Sequence, residues 1–150
     1  MAKIYEVLQR EHAEVHALLD ELRDTEAPEA KRRTAVLAQV VEHVTAHSRA
    51  EQEVIYPVLV TEADGAGMVK QALVEHGEIE TALRELVACD AHDELWIAKL
   101  ELLRAAIDAH VDHEEDGVFT ALRKVLDDER AERLADEFGH RKALLTGHAA

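Results

Sequence analysis

Six residues carry most of the chemistry this sequence can offer: His12, His47, Glu51, His76, His110 and Glu114. Each falls where helical spacing calls for an apolar core residue. His12 sits in the seam Ile4, Leu8, Val15, Leu19, Leu22, and His76 in Leu73, Ile79, Leu83, Leu86. His47 and Glu51 interrupt Val40, Val44, Ile55, Leu59, while His110 and Glu114 interrupt Leu103, Ile107, Val118, Leu122. Residues four apart share one helix face, so each His-x3-Glu pair points inward together. A lone histidine in an apolar seam is ordinarily a hydrogen-bonded core residue. Four of them, beside two glutamates that would cost several kcal/mol each to bury unpaired, call for a different account. Bound cations supply it, taking neutral imidazole nitrogens and ionised carboxylates as ligands.

The ligand set narrows the metal. The one cysteine, Cys89, falls in a predicted loop, which excludes a thiolate-rich structural zinc site. Imidazole with carboxylate suits iron, manganese or zinc. Four histidines and two carboxylates are too many for one tetrahedral ion. They suit two octahedral ions bridged by Glu51 and Glu114, with positions open to outside ligands. Glu80 and His16, each four residues past a seam histidine, are candidates for a further ligand or a supporting hydrogen bond, and so is Tyr56 beside the site. His43 and His113 are expected to be exposed, as are His92, His140 and His148.

An internal repeat implies the frame that positions these residues. Glu11-His12-Ala13-Glu14-Val15 matches Glu75-His76-Gly77-Glu78-Ile79 at an offset of 64, and His47, Glu51, Ile55, Tyr56, Leu59 match His110, Glu114, Val118, Phe119, Leu122 at 63. Periodicity predicts helices over about residues 3–24, 28–61, 68–88 and 94–127, with Pro57 bending or fraying the last turns of the second and Gly117 weakening the fourth. Two such hairpins make an all-α, antiparallel up-down four-helix bundle, over about residues 3–126 of a single 1–150 domain. A short additional C-terminal helix over about 128–146 is expected to cap it, with Leu134, Phe138 and Leu145 on its inner side, and Trp96 is expected to anchor the core. At a ~1.5 Å rise per residue, the hairpin turns bring all six polar groups to one depth.

Composition sets outer limits. With 47% apolar and 33% charged residues the chain suits one globular domain. Five aromatics and two prolines favour helix. The net charge of −15 disfavours nucleic acid and anionic membrane surfaces as partners. No apolar run approaches the length of a membrane span, and the first residues, MAKIYEVLQREH, are too charged for a leader segment. A lone cysteine fits a reducing compartment, so the expectation is a cytoplasmic protein; it is compatible with a monomer.

These residues resemble the hemerythrin-like, HHE cation-binding family. The resemblance rests on His12, His47-Ser48-Arg49-Ala50-Glu51, Tyr56-Pro57, His76 and His110-Val111-Asp112-His113-Glu114-Glu115. It implies a four-helix bundle with a non-haem pair of iron ions, oxo- or hydroxo-bridged, for which zinc or manganese could substitute. It also implies a small ligand, dioxygen, hydrogen peroxide or nitric oxide, with weak catalase-like turnover as one outcome and iron buffering or iron and oxygen sensing as the alternative. The chain departs from the family's oxygen carriers in having Glu80 four residues after His76 and Glu114 four residues after His110.

Overall fold

A computed structural model describes residues 1–147, which places His148 outside the described residues. Among these residues all regular structure is helical. The first rod is α1 (Ile4–Arg23). The second runs from a 3-10 turn (Ala27–Glu29) through α2 (Ala30–Ala50), a π-helical turn (Glu51–Ile55) and α3 (Tyr56–Glu62). The third is α4 (Ala66–Ala88). The fourth joins α5 (Trp96–His113), a second π turn (Glu114–Val118) and α6 (Phe119–Val125), and α7 (Asp128–Leu145) follows. Contacts α1–α2, α2–α4, α4–α5 and α5–α1 close the four rods into a square, while α7 lies across α1 and α2. No described helix is long and apolar enough to cross a membrane.

Local chemistry sets the corners. Glu26 and Glu29 form a reciprocal capping box around Pro28, with the Glu26 N–H donating to Glu29 Oε1 at 3.0 Å. Asp127 Oδ1 accepts the Arg130 N–H at 2.8 Å and so starts α7. Between α3 and α4, Asp64 takes a left-handed φ of 51°, which aspartate tolerates. A Cβ on Gly65 would lie 3.0 Å from the Leu59 carbonyl oxygen, so this turn needs glycine.

The π turns are the main departure from expectation. Pro57 does not fray the second rod, and Gly117 lies inside a continuous one. In each π turn an aromatic N–H reaches back five residues, from Tyr56 to the Glu51 carbonyl and from Phe119 to that of Glu114. Proline is not the cause, because the repeat partner of Pro57 is Thr120. The seams His47, Glu51, Ile55, Leu59 and His110, Glu114, Val118, Leu122 advance by four at every step. On an ideal α-helix of 3.6 residues per turn, such a seam drifts by roughly 40° per step. A wider turn absorbs the drift and keeps all four side chains inward.

The polar layer divides the core in two. Ile4, Leu8, Ile55, Leu59, Phe119 and Phe138 pack on one side of it. Leu19, Leu22, Leu83, Leu86, Trp96 and Leu103 pack on the other. Trp96 is buried as expected, with the Arg33 guanidinium 4.5 Å from its ring centroid. Two expected core residues are instead exposed. Leu73 gives way to Ala72 on the inner face of α4, and Leu145 lies at the rim of a shallow groove against α2 rather than in the core.

Candidate metal centre

His12 from α1, His47 from α2, His76 from α4 and His110 from α5 meet Glu51 and Glu114, the first residues of the two π turns, and all six are buried. Their ligand atoms form two triads, His12–His47–Glu114 and Glu51–His76–His110, each with its atoms within 4.8 Å of one another. Both glutamates reach across. Glu51 Oε1 lies 2.9 Å from His47 Nε2 and 3.7 Å from His76 Nε2. Glu114 presents one oxygen to His12 Nε2 at 3.1 Å and the other to His110 Nε2 at 3.3 Å. The Nε2 atoms of His76 and His110 are 3.1 Å apart. A cavity of about 30 Å³ lies among His12, His47 and His110.

The far nitrogen of each ring is held from outside. His47 Nδ1–H donates to Glu11 (2.7 Å), His12 Nδ1–H to Glu115 (2.8 Å) and His110 Nδ1–H to Glu75 (2.9 Å). The Gln52 carboxamide lies 3.0 Å from His76 Nδ1. Each supporting residue is the chain neighbour of one of the six but serves a ring on another helix. Glu11 with Glu75, and Gln52 with Glu115, are also repeat partners at the same two offsets. These four residues were not singled out in the sequence. Their signal was there, as polar residues beside ligand candidates duplicated in step with them. Holding Nδ1–H on a carboxylate fixes the tautomer and aims the Nε2 lone pair inward.

The electrostatics are severe. His12 Nε2, His47 Nε2 and all four carboxylate oxygens of Glu51 and Glu114 are buried, and none makes a hydrogen bond. Burial would depress His47, but the Glu51 carboxylate and the Glu11 hydrogen bond outweigh it and hold the imidazole up at about 10. The same contest at His110, with Glu114 and Glu51 facing it, ends at about 11. Burial raises Glu51, yet His47 and its neighbours carry its carboxyl well below the usual range. Burial and the facing carboxylates push the Tyr56 phenol up. Orphaned lone pairs and crowded carboxylates pointing at common centres fit the donor set of two cations.

The remaining candidates sit apart or at the rim. His16 turns away, its Nδ1 2.8 Å from the His12 carbonyl oxygen and its Nε2 on Asp108. Glu80 is exposed beside Arg84 (3.5 Å). Tyr56 is buried with Oη 3.0 Å from His76 Nε2. His43 is half-buried rather than exposed, paired with Glu14 at 2.9 Å, and exposed His113 lies on Glu75. The C-terminal helix is more than a cap: Phe138 packs edge-on to the His47 ring, centroids 5.6 Å apart, and Lys142 Nζ lies 2.9 Å from Glu11 Oε2.

Comparison with known proteins agrees with this geometry. A crystal structure of a hemerythrin HHE cation-binding domain-containing protein from Mycobacterium kansasii superposes with a TM-score of 0.87, at 22% identity, over 98% of this chain and 89% of that one. A protein named DNA nickase from Nostoc sp. is 29% identical over 142 residues, which are 95% of this chain; the chain spans only 40% of that relative's length. Residues 3–122 match the hemerythrin HHE cation binding domain. With six buried His and Glu ligand candidates on four rods of that fold, the chain belongs to the hemerythrin HHE cation-binding family.

Proposed function

We propose that this protein holds two iron ions, one at His12, His47 and Glu114 and one at Glu51, His76 and His110, and binds dioxygen, hydrogen peroxide or nitric oxide there, with slow peroxide decomposition as its turnover. The observation that carries the proposal is the set of buried imidazole nitrogens and carboxylate oxygens that crowd one another without making a hydrogen bond. Bound iron would supply the redox chemistry and the open coordination positions. The protein's own contribution is placement. Glu51 and Glu114 each face both triads, so they can hold two ions close together. Glu11, Glu75 and Glu115 keep three rings aimed. Tyr56 keeps its proton at Oη and can donate it in a hydrogen bond to a small ligand near His76.

A second reading, iron buffering or sensing, is favoured by the same buried charges. Ions that neutralise them also stabilise the core, which ties the fold to metal loading. DNA nicking, the activity in the name of the Nostoc relative, finds no support in a chain of net charge −15, which repels a phosphate backbone.

Elemental analysis with a peroxide assay tests the proposal. The expected result is two irons per chain and peroxide consumption that falls at least about tenfold in His110→Ala, in line with loss of a metal ligand or its support. Zinc as the sole metal would overturn the iron assignment. Two irons without peroxide consumption would leave buffering or sensing as the function.

A further inference from the structure

The two triads are built alike by the repeat but are enclosed differently. On the His12–His47–Glu114 side lies α7, which follows the second hairpin and has no counterpart in the repeat. Phe138 is fully buried against the His47 ring, and Lys142 occupies the second oxygen of Glu11, whose first oxygen holds His47. Arg141 adds an ion pair to Glu53 in the first π turn at 3.3 Å. Glu75, the repeat partner of Glu11, has no lysine. Its second oxygen is met by the exposed ring of His113 and by the Gln71 carboxamide at 3.2 Å.

Both sides border a groove, and the two triads are equally buried, but the groove of about 470 Å³ beside Glu11 and Lys142 is lined by none of the six residues, whereas on the other side His76 itself reaches the groove wall. A groove of about 430 Å³ runs between α2 and α4, with His76 and Gln52 in its lining beside Ser48, Arg49 and Ile79. The support differs here too. Gln52 turns its amide nitrogen Nε2, a donor, to His76 Nδ1, where Glu115 accepts from His12 Nδ1–H with a carboxylate. A carboxylate on Nδ1–H raises the basicity of the other ring nitrogen and tightens its bond to a cation; an amide that donates to Nδ1 gives no such support.

We infer that the two cation positions exchange at different rates: α7, through Lys142 and Phe138, locks the ion held by His12, His47 and Glu114, while the groove between α2 and α4 gives access to the ion held by Glu51, His76 and His110. Lys142 is a positioning residue, acting on His47 through Glu11. The inference rests on the two-ion reading above and adds which ion is the exchangeable one.

The test uses the full chain loaded anaerobically with ferrous iron and mixed with excess colorimetric ferrous chelator. Release should occur in two phases of one ion each. Lys142→Met and Phe138→Ala should speed the slow phase by about tenfold or more and leave the fast phase alone, and Lys142→Arg should restore the slow rate. Gln52→Glu, which gives His76 a carboxylate, should slow the fast phase by about tenfold. Two ions leaving in one phase would overturn the lock while sparing the two-ion reading. So would a Lys142→Met that speeds both phases equally, the behaviour of a merely destabilised fold, or a fast phase indifferent to Gln52→Glu. A chain that takes up fewer than two ions would overturn both.

Discussion

Three histidines of the polar layer, His12, His47 and His110, have two nitrogens with opposite duties, the outer one held on a carboxylate so that the inner one is free to face the centre. Glu11 shows this most clearly, because it is itself buried and lies between His47 and Lys142. Burial raises its carboxyl, but hydrogen bonds and charge from His47 and Lys142 win and hold it below the usual range. Glu11→Gln keeps the shape and an acceptor oxygen but loses the charge. Metal affinity, measured by chelator competition, should then fall about 10- to 100-fold, the usual cost of losing such a support. An affinity within twofold of the unaltered protein would mean that Glu11 only fills space. The six inner residues were legible in the sequence because a charged or imidazole side chain in an apolar seam violates the pattern. Their outer partners were harder to read, because Glu11, Glu75 and Glu115 lie beside ligand candidates in sequence yet reach a different helix. His16 misled because spacing does not show what else can claim a ring: its Nδ1 is taken by the His12 carbonyl and its Nε2 by Asp108.

At the scale of the element, the π turns decide whether a helix can present a histidine and a glutamate inward and stay in register. Both begin at the ligating glutamate candidate, and both widen the helix where the seam would otherwise rotate away. The four helices of the bundle could be read from periodicity, and the repeat predicted their pairing. The π turns were visible only as a strict interval of four, which looks like an ordinary helical face unless its drift is summed. Pro57 invited a local explanation that Thr120 rules out. Pro57→Ala should therefore leave the second rod in place, with metal stoichiometry unchanged and stability altered by no more than about 1 kcal/mol in a urea titration. Loss of an ion in that variant would return the π turn to the proline. Gly117, inside the second π turn, has only Met68 Cε within reach of an added Cβ, at 3.8 Å. Gly117→Ala should accordingly stabilise the protein by about 0.5–1 kcal/mol, read from the same titration, because alanine loses less backbone freedom on folding. A destabilised variant would show that the π turn needs glycine's freedom.

For the whole molecule, a layer of imidazoles and carboxylates between two apolar half-cores makes stability depend on what neutralises the layer. Without bound ions, protons must do it. His47 is held up at about 10 and His110 at about 11, both above the ordinary 6.5. A group whose pKa is raised on folding contributes stability that is complete below its unfolded value and is lost as pH climbs through the folded one. Metal-free protein should therefore melt at progressively lower temperature from about pH 6.5 towards 10. Glu51, depressed on folding, works in the opposite direction, and its contribution is lost as pH drops below the carboxylate range. Metal binding needs neutral imidazoles, so affinity rises over the interval in which the metal-free protein weakens. An ion present at a hundred times its Kd stabilises by about 2.7 kcal/mol. Two such ions would raise the Tm of a chain this size by roughly 10–20 °C. The gap in Tm between loaded and chelator-stripped protein should consequently widen between about pH 6 and 9, measured by calorimetry in matched buffers. A gap that stays constant or narrows over that range would mean that protons and metal do not compete for the buried imidazoles, and that the layer is neutralised by something else.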